Sequence, residues 1–199
     1  IGNLSHLTSL SLSYNNFTGQ IPSSIGNLSH LTSLRLSQNN ITGQIPSSIG
    51  NLSHLTSLDL SSNHFTVQIP SSIENLSHLS FLDLFDNLFL GQIPHSLGNI
   101  SGLSKLDLSR NSFVGEIPSS FGSLNQLTKF NVESNKLSGN FPIVLLNLTN
   151  LSDLSLSNNK FTGKLPPNID YSLSNLETFF VEGNNFVGNF PSSLFTIPS

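Results

Sequence analysis

The segment Asn-Leu-Ser-His-Leu occurs four times, at residues 3–7, 27–31, 51–55 and 75–79, always 24 residues apart. So short a period is a severe constraint, because a unit of that size cannot bury its own apolar side chains and must stack on copies of itself. Laid on this period, the sequence divides into eight complete units opening at Leu4, Leu28, Leu52, Leu76, Ile100, Leu124, Leu148 and, one residue late, Leu173. The extra residue falls in Pro-Pro-Asn-Ile-Asp-Tyr-Ser (166–172), where a loop absorbs it most easily. Partial units flank the eight, so residues 1–199 read as one solenoid without end caps.

Within the first unit the apolar residues are Leu4, Leu7, Leu10, Leu12, Phe17, Ile21 and Ile25. Leu10 and Leu12 alternate with Ser9, Ser11 and Ser13, which is the period of a short strand with leucines inward and serines outward. No unit carries a helical pattern of ten or more residues, and Gly and Pro punctuate each second half. The expected architecture is a stack of coils with one long parallel sheet and a mostly irregular or 3-10 opposite side.

Two columns run through the stack. Phe17, Ile41, Phe65, Phe89, Phe113, Leu137, Phe161 and Phe186 form a mostly aromatic spine. Asn15, Asn39, Asn63, Asn87, Asn111, Asn135, Asn159 and Asn184 fill another position without exception. An amide both donates and accepts, so a buried Asn column is expected to satisfy backbone groups where each strand turns away. Glycine recurs at Gly19, Gly43, Gly91, Gly115, Gly139, Gly163 and Gly188, as a positive dihedral or a close approach requires, but the third unit has Val67 there.

Taken together, Leu-x-x-Leu-x-x-Leu-x-Leu-Ser-x-Asn-x-Phe-x-Gly-x-Ile-Pro-x-x-Ile-Gly-Asn resembles the plant-specific leucine-rich repeat, over nearly the whole chain. In detail, residues 135–169 resemble the extracellular region of plant leucine-rich-repeat receptor-like proteins. That resemblance implies a curved α/β-type repeat solenoid with its parallel sheet on the concave face. It also implies a sensor of a peptide or protein ligand, acting in immunity or development at the outer face of the plasma membrane or in the cell wall space, with partner receptor kinases carrying the signal. No apolar run is long enough to cross a bilayer and the opening Ile-Gly-Asn reads as neither a signal peptide nor a translation start, so the membrane anchor that the resemblance implies is expected outside this stretch.

Composition narrows the partners. The 11 acidic and 7 basic residues never form a run, so no basic stripe for nucleic acid exists. Cysteine is absent, which excludes disulfides and thiolate chemistry. His6, His30, His54 and His78 lie in a line, and a line supplies at most two of the four ligands zinc needs, so no metal or other cofactor is expected. No lone nucleophile sits beside a base, and the chain reads as a non-enzyme.

Binding therefore falls to the outward strand positions, which are nearly bare serine in the first units and not afterwards. Phe81 and Phe85 are aromatics on that face, flanking Asp83. With Lys105, Asp107, Lys129, Asn131 and Glu133 they form the candidate ligand site. Asp59, Asp83 and Asp107 should stand on adjacent strands about 5 Å apart, a mildly repulsive column that a basic ligand would relieve.

Glycosylation sequons occur at Asn3, Asn16, Asn27, Asn40, Asn51, Asn75, Asn99, Asn147 and Asn150. Six of these share one column at the ends of units, so N-linked glycans there would coat one flank. Two other functions fit the same repeat. One is a secreted inhibitor of a pathogen enzyme, as in polygalacturonase-inhibiting proteins, and the other is ice binding by the serine-rich face of the first units.

Overall fold

The computed structural model describes residues 4–189 and 191. Each unit contributes a three-residue strand to a single parallel sheet: β1 (Ser9–Ser11), β2 (Ser33–Arg35), β3 (Ser57–Asp59), β4 (Phe81–Asp83), β5 (Lys105–Asp107), β6 (Lys129–Asn131), β7 (Asp153–Ser155) and β8 (Thr178–Phe180). They lie side by side in chain order. The register is in phase with the repeat, Leu10 against Leu34, Leu34 against Leu58 and Leu58 against Leu82. This sheet is the concave face of the solenoid.

Each strand is short because the chain turns sharply after it. Gln38, Ser62, Asp86, Arg110, Ser134 and Asn158 all adopt positive φ, between 50° and 57°, just before the Asn column. The Asn side chain holds that turn to the coil before it. Asn87, 7% exposed, donates from Nδ2 to the carbonyls of Leu60, Leu84 and Phe85 and accepts at Oδ1 from the buried Phe65 N–H. Asn39, Asn63, Asn111, Asn135 and Asn159 repeat the pattern coil by coil.

Beyond the turn the structure adds something the sequence pattern does not announce, a second line of short parallel strands. Thr18–Gly19, Asn40–Gly43 and His64–Phe65 form one small sheet. Leu90–Gln92, Ser112–Gly115, Lys136–Asn140, Lys160–Gly163 and Asn185–Phe186 form another. The line breaks beside Val67, which holds φ at 68° where the other units use glycine at 77° to 99°. A β-branched residue pays about 1–2 kcal/mol for that conformation. After the entropy of added glycine in the unfolded chain, Val67→Gly is expected to stabilise the protein by about 0.5 kcal/mol in chemical denaturation.

A proline in extended conformation then leads into a 3-10 helix in the first six units, from Ser23–Asn27 to Ile143–Asn147. Proline fixes φ near the value a helix start needs and cannot continue the strand. In the seventh unit the inserted residue converts this turn into a short α-helix, Ile169–Ser172. Strand leucines, the spine and the buried residues of these turns close into one continuous core.

The polar residues on the flanks are not idle. Thr32, Thr56, Ser80, Thr128 and Ser152 each donate a hydroxyl to the carbonyl one coil back. The histidines do likewise. His30, His54 and His78 place Nδ1 2.9–3.0 Å from the carbonyls of Ser5, Ser29 and Ser53, and because a carbonyl only accepts, Nδ1 carries the proton. Asn150 and Asn175 make the equivalent bond from Nδ2. At these two positions the column keeps a donor in place of the imidazole, whereas Gly102 has no side chain to offer one. A chain this poor in charge thus spends its hydroxyls, amides and imidazoles on joining coils.

Candidate functional site

The register of β4 to β8 lays two rows of outward residues across the sheet. One reads Phe81, Lys105, Lys129, Asp153, Thr178 and the other Asp83, Asp107, Asn131, Ser155, Phe180. Together with Glu133 they line a shallow groove of about 330 Å³ whose floor is made by Leu82, Leu106, Phe130 and Leu154. Seven of the eight residues nominated from sequence meet there: Phe81, Asp83, Lys105, Asp107, Lys129, Asn131 and Glu133.

Phe85 does not join them. It stands one step further along, under the guanidinium of Arg110, whose Cζ is 5.4 Å from the ring centroid. Four groove residues escaped the sequence reading: Asp153, Ser155, Thr178 and Phe180. Phe180, 51% exposed, was the accessible signal, an outward aromatic in the last complete unit that forms the far wall opposite Phe81.

The charges in the groove fall into spent and unspent groups. Lys129 Nζ pairs with Asp153 Oδ2 at 3.0 Å. Thr178 and Ser152 also donate to the Asp153 carboxylate, and these hydroxyls, with the lysine, hold its pKa down to about 2. In the aspartate column, Asp59 accepts from the Ser37 and Ser61 hydroxyls, and Asp107 accepts from Ser109 and Asn131. Asp83 accepts only the Phe85 N–H among the described residues. Burial pushes its pKa up to about 6 against that hydrogen bond, with Asp107 and Asp59 adding repulsion.

These opposite shifts give opposite pH dependence. Asp83 has a folded pKa above its unfolded value, so its contribution is present below about pH 4 and is lost as pH rises towards 6. Asp153 has a depressed pKa, so its contribution is present above about pH 4 and is lost as pH falls towards 2. Asp83→Asn is expected to flatten stability between pH 4 and 6.5 by about 1 kcal/mol, allowing for the partial exposure of the carboxylate. Urea denaturation of both proteins at the two pH values measures it.

The first three units differ in kind. Ser13, Ser37, Asp59 and Ser61 bond to one another and leave a polar sheet with one cation, Arg35. A larger depression of about 860 Å³ on the opposite side, from Gln68 to Val144, is lined by glutamines, prolines and aliphatics without a charged cluster. Eight of the nine sequon asparagines are exposed and Asn3 lies outside the described residues. Asn99 Nδ2 donates to Glu74 and Asn150 Nδ2 to the Asn125 carbonyl. Among the described residues no group of three or more His, Cys, Asp or Glu could hold a metal ion, and no helix is long and apolar enough to cross a membrane.

Residues 1–88 match the family model described as a leucine-rich repeat region, and residues 78–100, 102–124 and 150–171 match single leucine-rich repeats. No curated protein matches the chain. Among solved structures, the leucine-rich-repeat ectodomain of the Arabidopsis thaliana membrane receptor kinase GASSHO1/SCHENGEN3, in complex with CASPARIAN STRIP INTEGRITY FACTOR 2, superposes with a TM-score of 0.93 at 36% identity. That alignment covers 97% of this chain and 23% of the receptor. The Arabidopsis receptor kinase HAESA, in complex with the peptide hormone IDA and the co-receptor SERK1, gives 0.88 at 36% identity over 97% of this chain and 32% of its own. A plant ice-binding protein gives 0.76 at 31% identity over 96% of this chain and 68% of its own. The chain therefore spans about a quarter to a third of the receptors it resembles. With the repeat, the sheet and these likenesses in agreement, the chain belongs to the leucine-rich-repeat proteins of the plant type, as a run of repeats like those of receptor ectodomains.

Proposed function

We propose that this chain is a ligand-binding part of a plant cell-surface receptor, recognising a peptide or small protein in the groove across β4 to β8. The observation that carries the proposal is the contrast along one sheet: hydroxyls bonded to one another in units one to three, aromatics and charges around a groove in units four to eight. Two aromatic walls with charged residues between them, over an apolar floor, are what interface anchors require. The likeness to a receptor kinase in complex with a peptide hormone supports the same reading.

In this reading the protein works outside the cell, partner receptor kinases carry the signal, and immunity is the setting its resemblance to receptor-like proteins favours. N-linked glycans on the Asn27, Asn51, Asn75, Asn99 and Asn147 flank would leave the sheet free, and mass spectrometry of secreted protein should find several of these sites occupied. Replacing Phe81, Lys105, Lys129 and Phe180 together by serine, the residue the first units carry, should abolish ligand binding while leaving the fold intact. Undiminished binding by that variant would exclude the groove.

The likeness to a plant ice-binding protein favours a second reading, ice binding by β1 to β3. Against it, Ser13, Ser37 and Ser61 have hydroxyls engaged within the protein, and Arg35 and Asp59 interrupt the array. Inhibition of ice recrystallisation by the purified chain would revive that reading.

A further inference from the structure

Among the described residues, two groove atoms without a hydrogen-bond partner, Asp83 Oδ2 and Ser155 Oγ, belong to one row of outward residues. Asp83 Oδ2 receives no hydrogen bond, and the one ion pair among the described residues joins Lys129 to Asp153, so Lys105 on the neighbouring strand does not neutralise it. Ser155 is 8% exposed, lines the groove, and has a buried Oγ without any partner. Both atoms belong to the same row, with Asp107 and Asn131 between them. Asp107 is already satisfied by Ser109 and Asn131, and Asn131 by Asp107 and the Glu133 N–H. The vacant bonding capacity of the row is therefore at Asp83 and Ser155, three strand intervals apart.

Three intervals are about 14 Å at the usual strand spacing, and an extended peptide advances about 3.3 Å per residue, so the span is four residues. In an extended chain, side chains four apart point to the same side. A peptide running across the strands would thus present side chains at i and i+4 to both atoms at once. At Asp83 the complementary group is a cation, since Asp59 and Asp107 flank it on adjacent strands and add negative potential. At Ser155 a hydroxyl or amide suffices. Phe180 lies next in the row beyond Ser155 and Phe81 borders Asp83, giving apolar contact at each end.

Building on the receptor reading above, we infer that the groove takes an extended peptide lying along the solenoid axis, with a lysine or arginine on Asp83 and a hydrogen-bonding side chain four residues away on Ser155. The groups facing the bound cation are Asp59 and Asp107 in its favour and Lys105 against it. Arg110 is occupied by Phe85.

The test is selection of a phage-displayed random octapeptide library on the full chain, followed by affinity measurement of the selected peptides as synthetic molecules. Selected peptides should carry Lys or Arg four residues from Ser, Thr, Asn or Gln. Asp83→Asn should weaken their binding at least tenfold, Ser155→Ala about threefold, and Tyr171→Ala, on the remote exposed helix, not at all. Circular dichroism confirms that each variant is folded. Peptides that lose binding on Phe180→Ala but carry no basic residue, or ignore Asp83→Asn, overturn this inference and leave the receptor groove standing. Selected peptides indifferent to Phe180→Ala, or no selected peptide at all, overturn both.

Discussion

Replacing Asn87 with alanine is expected to cost about 3 kcal/mol, because it leaves the buried Phe65 N–H without an acceptor and removes the donor shared by Leu60, Leu84 and Phe85. The loss is not spread evenly. Leu60 and Phe65 belong to the coil before Asn87, so the substitution weakens the seam between the third and fourth units. In a solenoid, stability is a sum of unit terms and nearest-neighbour terms, and one weak seam divides the array. Urea denaturation followed by circular dichroism should show a lower midpoint and a broader transition than the parent. An unchanged, equally sharp transition would mean that the Asn column does not couple the coils.

Phe89→Ala is expected to be at least as damaging, about 3–5 kcal/mol. Phe89 is fully buried and stacks between Phe65 and Phe113, with ring centroids 6.0 Å away on either side and planes within 8°. Removing it opens a cavity between two rings held by their own coils, so neither can move in to fill it. Phe89→Leu, which the sixth unit tolerates at Leu137, should recover most of the loss. Thermal denaturation of the two variants separates the cavity from any special need for an aromatic ring.

Much of this was legible in the chain before its structure. The 24-residue period, the leucine alternation, the invariant Asn position and the recurrent Gly position lead directly to coil boundaries, inward faces and the long sheet, because each obeys a local rule that repetition reinforces. The second line of strands is less visible. Segments such as Thr18–Gly19 are two residues long and exposed, and they exist only because the neighbouring coil supplies the bonding partners. The positive-φ column is equally hidden, since Gln38, Asp86 and Arg110 share no side-chain property and the turn is imposed by the Asn that follows.

The groove shows the same limit. Phe81 and Asp83 stand out in sequence as departures from serine, but Ser155 looks like every other strand serine. What distinguishes it is a buried, unpartnered Oγ at a position that lines the groove, between Asn131 and Phe180 on the adjacent strands. Phe85 was the converse case, an outward aromatic that its neighbour Arg110 covers.

The most direct measurement is photo-crosslinking of a bound peptide from p-benzoylphenylalanine placed singly at position 180, at position 33 in β2, and at position 114 on the far side of the coils. If the groove across β4 to β8 holds the ligand, position 180 crosslinks it and positions 33 and 114 do not. Crosslinking from position 33 or 114, with none from 180, would contradict the account.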